Sequence, residues 1–236
     1  MSLIYVNPYS FSGIVTGGLV LHLDAGNSTS YPGSGTTWTD LSGSGNNGTL
    51  VGGTGYNSAN GGSLVFDGTD DYITTGKVLV PNNTASYTVS VWCYRNSNSV
   101  GNDILLSQWT FANVNNSFFF GFNSTGLLYF SDRWTNITVP GAGNTGVWMN
   151  LVGVYRTYVF PSQANAFIYL NGSLSATRND GLNYSGTGNF IIGRQGELSD
   201  EYFSGNISQV SVYNRELTAT EIAQNYNALK GRYGLS

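Results

Sequence analysis

From Leu19 to Tyr213, short apolar and aromatic runs are cut by clusters of Gly, Asn, Ser and Thr at intervals of about ten to fifteen residues. That spacing suits strands and leaves no room for long helices. The runs are Leu19 to Asp24, Leu64 to Asp67, Tyr72 to Thr74, Tyr87 to Tyr94, Ile104 to Gln108, Phe118 to Phe122, Leu127 to Phe130, Trp148 to Tyr155, Ala166 to Leu170, Leu174 to Thr177, Phe190 to Ile192, and Ile207 to Tyr213. In YTVSVWCY, Val89, Val91 and Cys93 share one face and Thr88, Ser90, Trp92 and Tyr94 the other, the pattern of a half-buried antiparallel sheet. Trp92 and Trp148, both mid-strand, read as core, and Phe118-Phe119-Phe120 as a strand buried on both faces.

Two local signals are sharper. Asn171-Gly172 separates two apolar runs, and a two-residue primed turn needs positive φ twice, so a hairpin is expected there. Thr218-Ala219-Thr220-Glu221 is a capping box ahead of Ile222, Tyr226 and Leu229 at i, i+4, i+7, with Gly231 expected at C′. The segment Gly26 to Gly62 reads as ordered loop or very short strands, with Tyr31 and Trp38 inserted as anchors.

Composition bounds the function. Only 9% of residues are charged, against about 25% in an average domain, and nearly half of the chain is Gly, Asn, Ser or Thr. Helical bundles and coiled coils are excluded. A 40% hydrophobic and 14% aromatic share excludes intrinsic disorder, and a chain of this size buries roughly 70 to 75% of its unfolded surface. One domain is expected, 17–236, preceded by an arm or first strand at 1–16. With two Lys (Lys77, Lys230), seven Arg and no basic run, the footprint for nucleic acid is missing. The lone Cys93 permits no intrachain disulfide and reads as a small apolar residue. No basic residue precedes the first short apolar run, so no signal peptide is read, and no stretch is long enough to span a bilayer.

Three stretches together carry a resemblance: GLVLHLDAGNSTSYPGSGTTWTDLSGSGNNGTL (Gly18 to Leu50), SLVFDGTDDYI (Ser63 to Ile73) and FSGNISQVSVYNRELTATEI (Phe203 to Ile222). The chain resembles a concanavalin A-like lectin/glucanase jelly roll of the laminin G type, in the variety found in phage virion proteins. The implied fold is all-β, a two-sheet antiparallel β-sandwich with one short C-terminal helix. The strand pattern supports it independently, because two stacked sheets bury the apolar face of each.

The resemblance also implies a structural Ca²⁺: Asp24, Asp40, Asp67, Asp70 and Asp71 fall in the first third of the chain, several in Gly/Asn-rich turns, and Asp24, Asp67 and Asp70 are the candidate ligands. Relatives carry Ile-Asp-Glu-Val in the last strand where this chain has Ile207-Ser208-Gln209-Val210, which leaves the Gln209 carbonyl as a fourth ligand. The alternative is that Asp67 and Asp70 simply cap tight turns.

Catalysis is not expected. Glycoside hydrolysis needs two carboxylates about 5 to 10 Å apart, but the one dense acidic run, Glu197-Leu198-Ser199-Asp200-Glu201, has the wrong spacing for one face of a strand. His22, the only histidine, sits among apolar strand residues and reads as a packed side chain hydrogen-bonded through one ring nitrogen. A binding surface remains, because sugars are gripped by aromatic faces ringed by amide and charged groups. The candidates are Trp134, Arg133, Asp132, Trp109 and Asn115. The expected protein is a non-enzymatic virion surface module, of tail-fibre or capsid-decoration type, that binds cell-surface or particle-surface carbohydrate and contacts other virion proteins, with a homo-oligomer left open. The rival readings are a purely structural packing module, whose residues Met1 to Thr16 dock on a neighbour, and a glycan-cleaving enzyme.

Overall fold

A computed structural model describes the chain except for residues 1–12, 82–84, 97–100, 109–117, 132–135, 140–142, 158–164, 179–186 and 197–200. Among the described residues, sixteen strands, numbered in chain order, form two stacked antiparallel sheets. The first runs β14 (Ser173–Arg178), β13 (Ala166–Leu170), β12 (Trp148–Tyr155), β7 (Tyr87–Arg95), β16 (Ser204–Tyr213), β5 (Ser63–Asp67) and β4 (Gly55–Asn57), with β1 (Leu19–Asp24) also paired to β16. The second runs β11 (Asn136–Val139), β10 (Leu128–Ser131), β9 (Phe118–Phe122), β8 (Asp103–Gln108), β15 (Phe190–Ile192), β6 (Tyr72–Thr74), β3 (Gly48–Val51) and β2 (Thr37–Trp38). The chain is thus the two-sheet sandwich that the strand pattern demands.

Alternation sets the inner faces. Val89, Val91 and Cys93 of β7 and Met149 and Leu151 of β12 point into the shared core, where Phe120 and Phe130 of the other sheet meet them. In β16 a bulge at Ser208, between Ile207↔Cys93 and Gln209↔Trp92, resets the phase so that Ile207 and Val210 both face inward. All three phenylalanines of Phe118 to Phe120 are buried. The Asn171-Gly172 hairpin forms with both residues at positive φ (50° and 76°).

The Gly26 to Gly62 segment contributes β2, β3 and β4, strands too short to show alternation, and buries Tyr31 and Trp38 as anchors. It also closes the outer edge of β1. Asp40 Oδ1 accepts from His22 N (2.9 Å), Leu41 N donates to His22 O (2.8 Å), and Asn46 Nδ2 donates to Val20 O (2.8 Å). An edge that would otherwise template another strand is satisfied internally.

The helix α1 (Ala219–Leu229) starts at Thr218 with the expected capping box. Its end differs from expectation. Gly231 is not the C′ residue, because the chain continues through a 3-10 turn, Lys230–Tyr233, and the left-handed residue is Gly234 (φ 70°). The extra turn carries Arg232 and Tyr233 under the sheet, where both are buried. A second difference follows. The polar-looking face of β7 is not open, since Thr88, Ser90 and Trp92 are buried as well. Trp92 stacks on Tyr233 (centroids 4.1 Å) and on Tyr226 (5.7 Å), so the C-terminal segment covers that face. Residues 13–16 also lie against α1, with Asn225 Oδ1 accepting from Val15 N (2.8 Å). No helix among the described residues is long and apolar enough to cross a membrane.

Candidate functional site

Beyond the reach of α1, the outer face of the first sheet holds an open pocket. Register builds it. Trp148 on β12 pairs with Tyr94 on β7, and Tyr94 pairs with Asn206 on β16. On the next strands Ser63 of β5 pairs with Asn57 of β4. The inward neighbours Cys93, Met149 and Ile207 are core, so this row projects outward by the period-two rule. Asn60 completes the rim from the turn between β4 and β5. The cavity has a volume of about 260 Å³ and is lined by these six side chains.

Its groups are well placed for a polyhydroxylated ligand. The half-buried Trp148 and Tyr94 rings lie 5.8 Å apart, tilted by 55°, and form an apolar wall. Asn206 Nδ2 donates to Ser63 Oγ (3.0 Å), and Asn57 Oδ1 accepts from Ala59 N (2.9 Å). The remaining amide groups of Asn57, Asn60 and Asn206, and the Tyr94 hydroxyl, both donate and accept. The floor is rigid. Tyr233 packs on Trp148 (4.7 Å), and Arg232 Nε donates to Asn60 O (2.8 Å), holding Asn60 at φ 51°. Among the described residues no carboxylate, imidazole or thiol lines the cavity, and the Tyr94 and Ser63 hydroxyls are the groups there that could take part in proton transfer or attack.

The calcium candidates are divided by the fold. Asp24 pairs with Gln209, and Asp67 with Ser204, so they are offset by five positions along β16, roughly 16 Å at the strand rise. Asp24 Oδ1 accepts from Arg232 Nη1 (2.6 Å) and from Gly26 N (2.8 Å). The same guanidinium donates through Nη2 to Gly62 O (2.7 Å) and Ser208 Oγ (2.6 Å). A built-in cation fills the space beside Asp24, and this half of the ligand set does not fit a metal. Gln209 Nε2 lies 3.5 Å from His22 Nδ1 instead.

Asp67 and Asp70 do come together, joined by Asp71; one carboxylate oxygen from each lies within 4.8 Å of the others. Asp71 Oδ2 accepts from Asp67 N (2.9 Å), whereas the buried Oδ1 has no hydrogen-bond partner. Thr54, beside it, donates its hydroxyl to Val51 O (2.9 Å). Burial, and then the charges of Asp67 and Asp70, push the Asp71 carboxyl above the usual range. Crowded carboxylates with an unsatisfied oxygen fit a hard, oxygen-seeking cation.

Trp134, Arg133, Asp132, Trp109 and Asn115 lie outside the described residues, as do Glu197 to Asp200. Glu201 accepts from Asn102 Nδ2 (2.5 Å). His22 is packed as expected, its Nδ1 2.9 Å from Ser211 Oγ. Trp148 corrects the core assignment, since it is half-buried on the outer face. The signal was present in WMNLVGVY, where Trp148 shares a face with Asn150 while Met149 and Leu151 alternate inward. The partners Asn57, Asn60, Ser63 and Asn206 had no local signal.

The fold has many relatives among solved structures. The chain superposes on domain 4 of AbnA, an extracellular arabinanase of Geobacillus stearothermophilus solved with arabinotriose, at a TM-score of 0.67 and 19% identity, covering 89% of this chain and 98% of that one. The binding domain of Paraclostridial Mosquitocidal Protein 1 matches at 0.67 and 16%, covering 92% of this chain and 55% of that one. A mutant Trypanosoma rangeli sialidase with trans-sialidase activity matches at 0.65 and 13%, covering 94% and 34%. The chain thus spans nearly the whole of the first but only about half and a third of the other two. No curated protein sequence matches the chain. A profile of the concanavalin A-like lectin/glucanases superfamily, laminin G type, matches residues 67–223, about two thirds of the sequence. The chain belongs to that superfamily.

Proposed function

We propose that the chain is a non-enzymatic binding module that recognises carbohydrate through the pocket on the outer face of its first sheet. The row Trp148–Tyr94–Asn206 carries this reading, because it sets two aromatic rings beside amide and hydroxyl groups with hydrogen-bonding capacity to spare. A sugar presents the complementary surface, a C–H face and a rim of hydroxyls. The non-enzymatic part is supported by the pocket's uncharged lining. Arabinotriose in the arabinanase domain lends the reading general support through the shared fold.

The setting we propose is a virion surface, in a tail fibre or capsid decoration, with other virion proteins as neighbours. It is supported by the resemblance of three stretches to phage virion modules and by a surface poor in charge. We further propose that Asp67, Asp70 and Asp71 hold a structural Ca²⁺, which would pin the turn between β5 and β6. Glycan-array binding by the whole chain that disappears in Trp148→Ala is the expected result. Absence of binding to any glycan would favour a packing module instead, and release of reducing sugar would rescue an enzyme.

A further inference from the structure

Among the described residues, no charged side chain lines the pocket. Its six lining residues are three asparagines, a serine, a tyrosine and a tryptophan. A cation does stand at the rim: Arg232, whose Nε donates to the Asn60 carbonyl. That guanidinium is closed to ligands: its side chain is 0% exposed, and four of its five N–H donors are given to Asp24, Asn60, Gly62 and Ser208. A carboxylate or sulfate entering the pocket would lose water and find no counter-ion, an unfavourable exchange. At long range the chain's net charge of −4 also repels anions. Hydroxyls fare differently, since each donates one hydrogen bond and accepts two, matching amides that do both.

We infer that the pocket takes uncharged sugar residues and rejects those bearing a carboxylate or sulfate. This rests on the carbohydrate-binding reading and adds the class of sugar.

The test is a glycan array that pairs neutral glycans with the same glycans ending in sialic acid, uronate or sulfate, probed with the full chain at physiological and at high salt. High salt removes long-range repulsion and leaves the desolvation term. Neutral members are expected to bind, with their acidic counterparts at least about tenfold weaker at both salts. Binding should be lost in Trp148→Ala and weakened in Asn60→Gly. The second variant keeps the fold, because the Asn60 side chain is exposed, makes no hydrogen bond and sits at a φ that glycine prefers. Equal or tighter binding of acidic glycans, still sensitive to these substitutions, would overturn the neutral class and leave the carbohydrate reading standing. Binding indifferent to both substitutions would overturn the pocket assignment, and no glycan binding at all would overturn both readings.

Discussion

Arg232 and Asp24 lie 208 residues apart in the chain and meet in a buried ion pair, Nη1 to Oδ1 at 2.6 Å. The guanidinium that locks the C-terminal turn to β1 also carries the carbonyl of Asn60 at the pocket rim. One side chain therefore links the closure of the sandwich to the shape of the pocket. Gly26 permits it, since a Cβ there would sit 2.1 Å from Arg232 Nη2.

Replacing Arg232 with Ala should lower stability by about 3 to 5 kcal/mol, because Asp24 would stay buried without its counter-charge. Arg232→Lys should recover only part of that, having no planar fork to span four acceptors. Urea denaturation measures both. A loss under about 1 kcal/mol for Arg232→Ala would show that the pair contributes little net stability.

His22 gives the fold a pH dependence of known sign. Burial lowers its pKa from 6.5 to about 4, against the opposing pull of Asp24 and Asp40. Between those values the unfolded chain binds the proton and the folded chain does not, so stability is full above 6.5 and falls as pH drops towards 4. The expected loss across that window is on the order of 3 kcal/mol. In His22→Gln the corresponding slope should flatten; an unchanged slope would assign the effect to other groups.

Calcium should raise the melting temperature, and the rise should vanish in Asp67→Asn and Asp70→Asn. At a hundredfold excess over Kd, binding to the folded state alone is worth about 2.7 kcal/mol. A melt unchanged by chelation and calcium re-addition would refute the site. Asp24→Asn, by contrast, should destabilise equally with and without calcium.

Cys93 should be inert in the native protein. It is fully buried on the inner face of β7, and desolvation pushes its thiol up to about 12. The thiolate that reacts is therefore nearly absent at neutral pH. Labelling by an aromatic disulfide should wait on unfolding, and rapid modification under native conditions would contradict the buried placement.

Much of the fold was legible because it is written locally. Val89, Val91 and Cys93 declare an inward face by alternation, Asn171-Gly172 declares a turn by the φ it needs, and Thr218 with Glu221 declares a helix start by two hydrogen bonds. The strands from Thr37 to Asn57 are only two to four residues long and carry too few positions for a period to show. Gly231 looked like a helix stop, yet the helix ran on, because burying Tyr233 against Trp92 and Trp148 outweighs a glycine's local preference.

The site was legible only in fragments. Asp67 and Asp70 sit close in sequence and close in space. Asp24 and Gln209 are cross-strand partners as well, but Arg232 from the last turn occupies the place beside Asp24 that a metal would need. Trp148 announced its outward face through Asn150. By itself the sequence determined the longer strands, the inward face of strands such as β7, the tight hairpin, the capped start of the helix and a composition with almost no charge, since each depends on residues a few positions apart. Only the tertiary structure decided that Trp148, Tyr94 and Asn206 form one row and that Arg232 closes on Asp24. Those pairings join segments up to 208 residues apart, and strand order and register in a sheet arise from global packing, which no local period encodes.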